Sequence, residues 1–218
     1  MAAIAFAAVS TYLFFGLSQG ESERGQKPII LYVNQGNGVV NVSGFGTMLG
    51  FASSRGFNTV FFQVYRSGHL LFSPPILQSF VNQTHQSGLR IFFALYITNA
   101  SQALPGSILG LHEDGVSLDM SALPLDAQES YLAALKTGFD GQTAVTTTDM
   151  SSPLKPDLLV LETYGSGYQQ YIRPGIVASV GVFTTSNQSD YQSEFQYALQ
   201  NSDGVMVFDY YGLQKAGY

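Results

Sequence analysis

The fifteen carboxylates of this 218-residue chain are unevenly spread. Glu21 and Glu23 lie near the N-terminus, none occurs from Gly25 to His112, and the other thirteen lie from Glu113 onward. Carboxylate chemistry is therefore confined to the second half. Asp126 and Glu129 open a predicted helix, where they complement its dipole. Asp190 and Glu194 fall on a predicted surface helix, and Asp157 and Asp203 precede predicted strands. Of the rest, Asp119, Asp149, Glu162 and Asp209 stand at strand C-terminal ends. Glu162 follows Leu-Leu-Val-Leu and precedes Thr163-Tyr164-Gly165; Asp209 follows Val-Met-Val-Phe and precedes Tyr210-Tyr211-Gly212. A carboxylate emerging from an apolar strand is partly desolvated, which raises its pKa and suits a general acid. Glycoside hydrolysis needs two such groups across a sugar bond, ~5–5.5 Å apart for retention and ~6.5–9.5 Å for inversion. Glu162, as acid/base, and Asp209, as nucleophile or water-activating base, are the preferred catalytic pair. The plainer role for each is a strand-end carboxylate paired with Arg or Tyr.

The tips of the first three predicted strands carry no charge of that sign. Asn34, Gln63, Tyr65, Tyr96 and Asn99 are groups that hydrogen-bond hydroxyls or stack on sugar faces. With Tyr164 and Tyr210 they form the expected substrate-binding set. Tyr also packs barrels, so the aromatic tips serve either purpose.

These residues have to be positioned by strands that end side by side. Ile29–Asn34, Asn58–Tyr65, Leu89–Ile97, Gly115–Asp119, Ala144–Asp149, Leu158–Glu162, Ile176–Thr184 and Gly204–Tyr210 read as strands. Val42–Ser54, a segment opened by Pro74-Pro75 and closed by Gly88, Asp126–Phe139 (N-capped by Asp126, closed by Gly138) and Asn187–Gln200 read as helices. Thr98–Glu113 reads as a long loop and Gly167–Ile172 as a helical turn. Runs such as FNTVFFQVY, LRIFFALYI and DLLVLETY lack strict alternation, as strands buried on both faces of a parallel sheet do. Right-handed crossovers would curl that sheet into a TIM-type (β/α) barrel, with chemistry at the strand C-terminal ends. An open doubly wound sheet is the competing arrangement; polar residues at nearly every strand end favour the barrel. The chain stops soon after the last strand, so a final helix is missing or truncated.

Composition narrows the function classes. Net charge is −6, which opposes nucleic-acid binding because phosphates need a basic surface. Only 11% of residues are charged, against a typical ~25%. Absence of cysteine excludes disulfides and thiolate catalysis. Gly44, Gly46 and Gly50 have the wrong spacing for a dinucleotide loop, and His69, His85 and His112 lack metal-ligand spacing. No Gly-x-Ser-x-Gly elbow occurs. Neither a cofactor nor a metal is expected.

The segment Ala2–Leu17 is uncharged and about 16 residues long, between a signal core and a spanning helix. Residues 1–18 are expected to be a signal or membrane anchor, 19–27 a polar linker and 28–218 the barrel. Acceptor sequons at Asn41, Asn82, Asn99 and Asn187 fit a secreted chain or an anchored one facing outside.

Residues Pro28 to Ile97 resemble a glycosyl-hydrolase-like TIM-barrel superfamily known largely from bacteria and archaea. The matching features are the strand IILYVN, then Gly56, Asn58 and Thr59 leading into the second strand, the polar Gln63, the hairpin Gly68 to Phe72, and His85 and Gly88 before the third strand. The ending GVMVFDYYGL is similar to the terminal barrel strand of such proteins. The resemblance implies a TIM-type barrel and carbohydrate as the substrate class. Related domains carry a glycine-hydrophobic-Asp strand near mid-barrel, where this chain has Gly115-Val-Ser-Leu-Asp119. The expected function is an extracytoplasmic glycosidase-like barrel working by carboxylate acid/base chemistry. The alternatives are a non-catalytic glycan-binding or cell-envelope barrel and a structural surface protein bearing glycans.

Overall fold

Every long strand of this chain is apolar on both faces, and the fold supplies a partner for each face. The structure is a computed structural model describing residues 26–36, 40–164, 167–182 and 188–218. The expected signal or anchor segment, most of the linker, the Asn187 sequon and the outer end of the Ile176–Thr184 strand lie outside those residues. Among the described residues no helix is long and apolar enough to cross a membrane.

The strands are β1 (Ile29–Val33), β2 (Thr59–Arg66), β3 (His69–Leu70), β4 (Arg90–Tyr96), β5 (Gly115–Asp119), β6 (Gln142–Thr147), β7 (Leu158–Glu162), β8 (Val177–Gly181) and β9 (Gly204–Phe208). Around the sheet they run β1-β9-β8-β7-β6-β5-β4-β2, and a parallel β1–β2 pairing closes the ring. All eight are parallel; β3 is a two-residue antiparallel hairpin on the end of β2. Closure rules out the open doubly wound sheet.

Helices cover the ring unevenly. They are α1 (Val42–Ser54), α2 (Pro74–Gln86), α3 (Leu125–Gly138), α4 (Gln188–Asn201) and α5 (Tyr210–Lys215). Asn41 caps α1 by accepting from Gly44 N at 2.9 Å. Pro74 and Pro75 open α2, where a missing N–H costs little. The crossovers after β4 and β7 carry only short 3-10 turns, Gly106–Ile108 and Tyr168–Tyr171. Several boundaries differ from the sequence reading by one to three residues, and two of the differences bear on an acid. The cap position of α3 is Pro124, and Asp126 lies in the first turn. The sixth strand starts at Gln142 and ends before Asp149. The short α5 follows β9 after one residue, Asp209.

Two apolar layers follow from strand parity. Leu31, Phe62, Phe93, Leu118, Val145, Leu161, Val180 and Val207 face the helices, while Ile30, Phe61, Phe92, Ala94, Ala144, Val160, Val177 and Met206 fill the barrel. Phe61 and Phe92 stack at 4.8 Å between ring centroids. A Cβ on Gly115 would lie 2.1 Å from the Phe92 ring, so only glycine fits beneath that plug. The lower barrel is thus filled.

The N-terminal end is fastened by a repeated device. Side-chain oxygens just before β2, β5, β7 and β9 accept backbone N–H groups within two residues of the start of the preceding barrel strand. Asn58 takes Ile29 N at 2.9 Å, Asp114 takes Ile91 N at 2.8 Å, Asp157 takes Thr143 N at 2.7 Å, and Asp203 takes Gly175 N at 3.0 Å. Asp157 and Asp203, read as strand-preceding acids, are thereby given structural work.

Candidate active site at the barrel mouth

The parity that buries the interior layer continues to the C-terminal ends. One residue per strand therefore faces the barrel axis there: Tyr32 on β1, Gln63 on β2, Tyr96 on β4, Asp119 on β5, Thr146 on β6, Glu162 on β7, Ser179 on β8 and Phe208 on β9. Tyr32 and Phe208 pack at 5.2 Å between centroids, and Tyr164 and Phe208 at 6.3 Å. The Tyr164 hydroxyl and Ser179 Oγ are 3.0 Å apart, and Ser117 Oγ lies 3.5 Å from Thr146 Oγ1 below them.

Two carboxylates meet in this ring. Burial, then the negative charge of Asp119, pushes Glu162 from its ordinary 4.5 up to about 7. Burial also raises Asp119, opposed by hydrogen bonding to Ser121, whose Oγ donates to Asp119 Oδ1 at 3.3 Å. Tyr32 is pushed up by burial and by Asp119, and Tyr164 by burial and by Glu162, so the four groups sense one another. Glu162 has neither a hydrogen bond nor an ion pair among the described residues. The ion pairs found among them, His85–Asp114 and Arg90–Asp114, lie at the opposite end of the barrel. No cluster of three or more His, Cys, Asp or Glu suited to a metal occurs among the described residues.

Asp209 is placed differently. It is 3% exposed, follows β9, and caps α5 by accepting from Gly212 N at 2.9 Å. Its charge still acts on Tyr32, Tyr164 and Tyr211.

The other expected residues divide. Glu162, Tyr164, Gln63 and Tyr96 lie in the mouth. Gln63 is 3% exposed and its Oε1 is buried with no partner. Asn34 stands at the end of β1, its Oδ1 accepting from Gly36 N at 2.8 Å. Tyr65 faces outward, because a bulge between Gln63 and Tyr65 reverses the parity of β2. Its hydroxyl donates to Ala103 O at 3.0 Å, and it lines a surface cavity of about 640 Å³ with His69, Leu70, Gln102 and Leu104. Asn99 is exposed in the loop after β4, its Oδ1 taken by Ser101 N and Oγ. Tyr210 is buried against Phe51 of α1, where its hydroxyl accepts from Gln214 Nε2 at 2.8 Å. Asn99 and Tyr210 thus serve local structure.

Tyr32, Thr146 and Ser179 were not expected at the site, and Asp119 was expected at a strand end but not beside Glu162. Strand parity could have found all four: Val116 and Leu118 pack outward, which turns Ser117 and Asp119 inward.

No family model and no curated protein matches the sequence. Solved structures share its fold. A maltogenic α-amylase, AmyB from Thermotoga neapolitana, superposes with a TM-score of 0.58 at 12% identity, covering 87% of this chain and 69% of the amylase. A GH20 catalytic module of the pneumococcal exo-β-D-N-acetylglucosaminidase StrH gives 0.57 at 8% identity, over 84% and 79%. An HpcH/HpaI aldolase from Desulfitobacterium hafniense gives 0.55 at 8%, over 88% and 90%. At such identities the likeness shows the TIM-barrel fold, which glycoside hydrolases and aldolases share.

Proposed function

We propose that this barrel cleaves a glycosidic bond, with Glu162 as the general acid. The single observation carrying the reading is a half-buried carboxyl at the mouth, without a hydrogen bond or ion pair among the described residues and lifted to about 7 by burial and by a second carboxylate. Such a group is protonated in part near neutrality, as an acid that must protonate a glycosidic oxygen has to be. Asp119 serves as the second carboxylate, steadying positive charge at the sugar carbon or activating water. Asp209 is the other candidate for that role, and Asp119→Asn and Asp209→Asn variants distinguish the two. Tyr164 and Tyr96 offer ring faces and hydroxyls to the sugar, Asn34 and Gln63 hydrogen bonds to its hydroxyls. The neutral cavity beside Tyr65 supports flanking units. Residues 1–18 would export or anchor the chain outside the cytoplasm, where polysaccharide or other glycan substrates occur, and no nucleic acid is a partner.

Glu162→Gln tests the reading. Screened by reducing-end detection on a panel of oligosaccharides, the variant should lose about 10²–10⁴-fold in turnover while binding is retained. Unchanged turnover removes the assignment. Binding without release by the wild-type protein would make this a glycan-binding barrel.

A further inference from the structure

The parity reversal that turns Tyr65 outward turns the next residue, Arg66, toward the mouth. Arg66 pairs with Tyr96 in the β2–β4 register, and its guanidinium lies over the Tyr96 ring, 5.8 Å from the centroid. On its other side it covers the turn after β1. A Cβ on Gly36 would fall 1.7 Å from Arg66 Nη1, so the guanidinium occupies the space a side chain there would take, beside Asn34 Oδ1. Arg66 thus spans the tips of three adjacent strands, β1, β2 and β4.

No carboxylate answers it. Arg66 makes no ion pair or hydrogen bond among the described residues, although the chain carries excess negative charge. The sheet order puts β2 four strands from β7 in an eight-strand ring, so Arg66 and Glu162 stand on opposite walls. The mouth is therefore polar across its width, with Glu162 on one wall, Arg66 on the opposite one, and Asp119 between them on β5, in register with Tyr96. Below Arg66 on the same strand, Gln63 Oε1 is buried with no hydrogen-bond partner among the described residues, an acceptor suited to a sugar hydroxyl.

We infer that Arg66 selects a glycan bearing an anionic substituent, a uronic-acid carboxylate foremost, and orients it with that group away from Glu162. A planar guanidinium matches a carboxylate through two parallel hydrogen bonds. An anion on the opposite wall would instead meet Glu162, and one midway would meet Asp119 on β5. This specificity role rests on the glycosidic reading of the same mouth.

The test is direct binding by the full chain at low salt to matched oligosaccharide pairs, each a uronic-acid oligomer and its carboxyl-reduced counterpart, with sulfated oligomers as a third arm. The acidic member of at least one pair should bind about tenfold or more tightly than its reduced partner. That ratio should collapse toward unity in Arg66→Gln, which circular dichroism checks for folding, and recover in part in Arg66→Lys. Tighter binding of the sulfated arm than of every uronate would keep the anion site and replace the carboxylate assignment. Equal binding within every pair, or a ratio that survives Arg66→Gln, overturns the inference while leaving the glycan reading intact. Failure of all members to bind overturns both.

Discussion

The two ends of the barrel use the same residue types in opposite ways. At the N-terminal end, Asp157 is surrounded by donors: the Thr143 N–H and hydroxyl hold its carboxyl below the usual range. At the mouth, Asp119 and Glu162 are raised by burial, and Glu162 accepts nothing from the described residues. The difference lies in the backbone. Where a parallel strand begins, its leading N–H lacks a strand partner, and a carboxylate before the next strand can take it. Where strands end, it is carbonyl oxygens that project, and these offer a carboxylate nothing; Asp119 and Asp209 find donors further along the chain, in Ser121 Oγ and Gly212 N. Glu162 finds none among the described residues, so it is tolerated by the fold where the acids at the bottom are stabilised by it.

The largest expected effect follows at the bottom. Asp114 accepts from Ile91 N at 2.8 Å, pairs with His85 Nε2 at 2.9 Å and lies 3.9 Å from Arg90 Nε. Asp114→Ala strands a part-buried N–H and should cost about 2–3 kcal/mol in urea unfolding. A loss within a few tenths of a kcal/mol of zero would break the claim that these acids fasten the ring.

Much of this architecture is legible in the sequence because burial on both faces leaves a plain mark. TVFFQV and RIFFAL, short and rich in β-branched or aromatic residues, and the short apolar LLVL read as central parallel strands, and polar tips favour closure. Glu162 is legible for the same reason, standing where LLVL ends. Parity turns Asp119 inward as well, but its approach to Glu162 across β6 depends on how the ring closes, which no local pattern encodes. The sequence puts Tyr65 among the substrate groups because the bulge in TVFFQVYR carries no glycine or other marker. It puts Tyr210 there because VMVFDYY reads as one strand, whereas the chain leaves β9 at Phe208 and turns straight into α5.

At the mouth the sign of the effect reverses. Glu162 has a folded-state pKa raised from 4.5 to about 7. Its protonated form therefore contributes stability that is full below the ordinary value and is lost as pH rises through the raised one. Glu162→Gln lacks that dependence. Relative to the variant, the wild-type protein should lose on the order of 1 kcal/mol between about pH 5 and about pH 8, solvent at this half-buried position limiting the loss. Parallel urea curves across that range would show the carboxyl ionised throughout and end its role as an acid.

The smallest effect sharpens the rule for the bottom. Asp203 performs the same operation as Asp114, but with one bond, to Gly175 N at 3.0 Å, and an exposed side chain. Water can replace it there. Asp203→Ala should therefore cost about 0.5 kcal/mol, several-fold less than Asp114→Ala. If the two cost the same, burial of the stranded N–H is not what sets the strength of the fastening. The cause would then be the closing of the ring itself, because Asp203 sits before β9, the strand that pairs with β1.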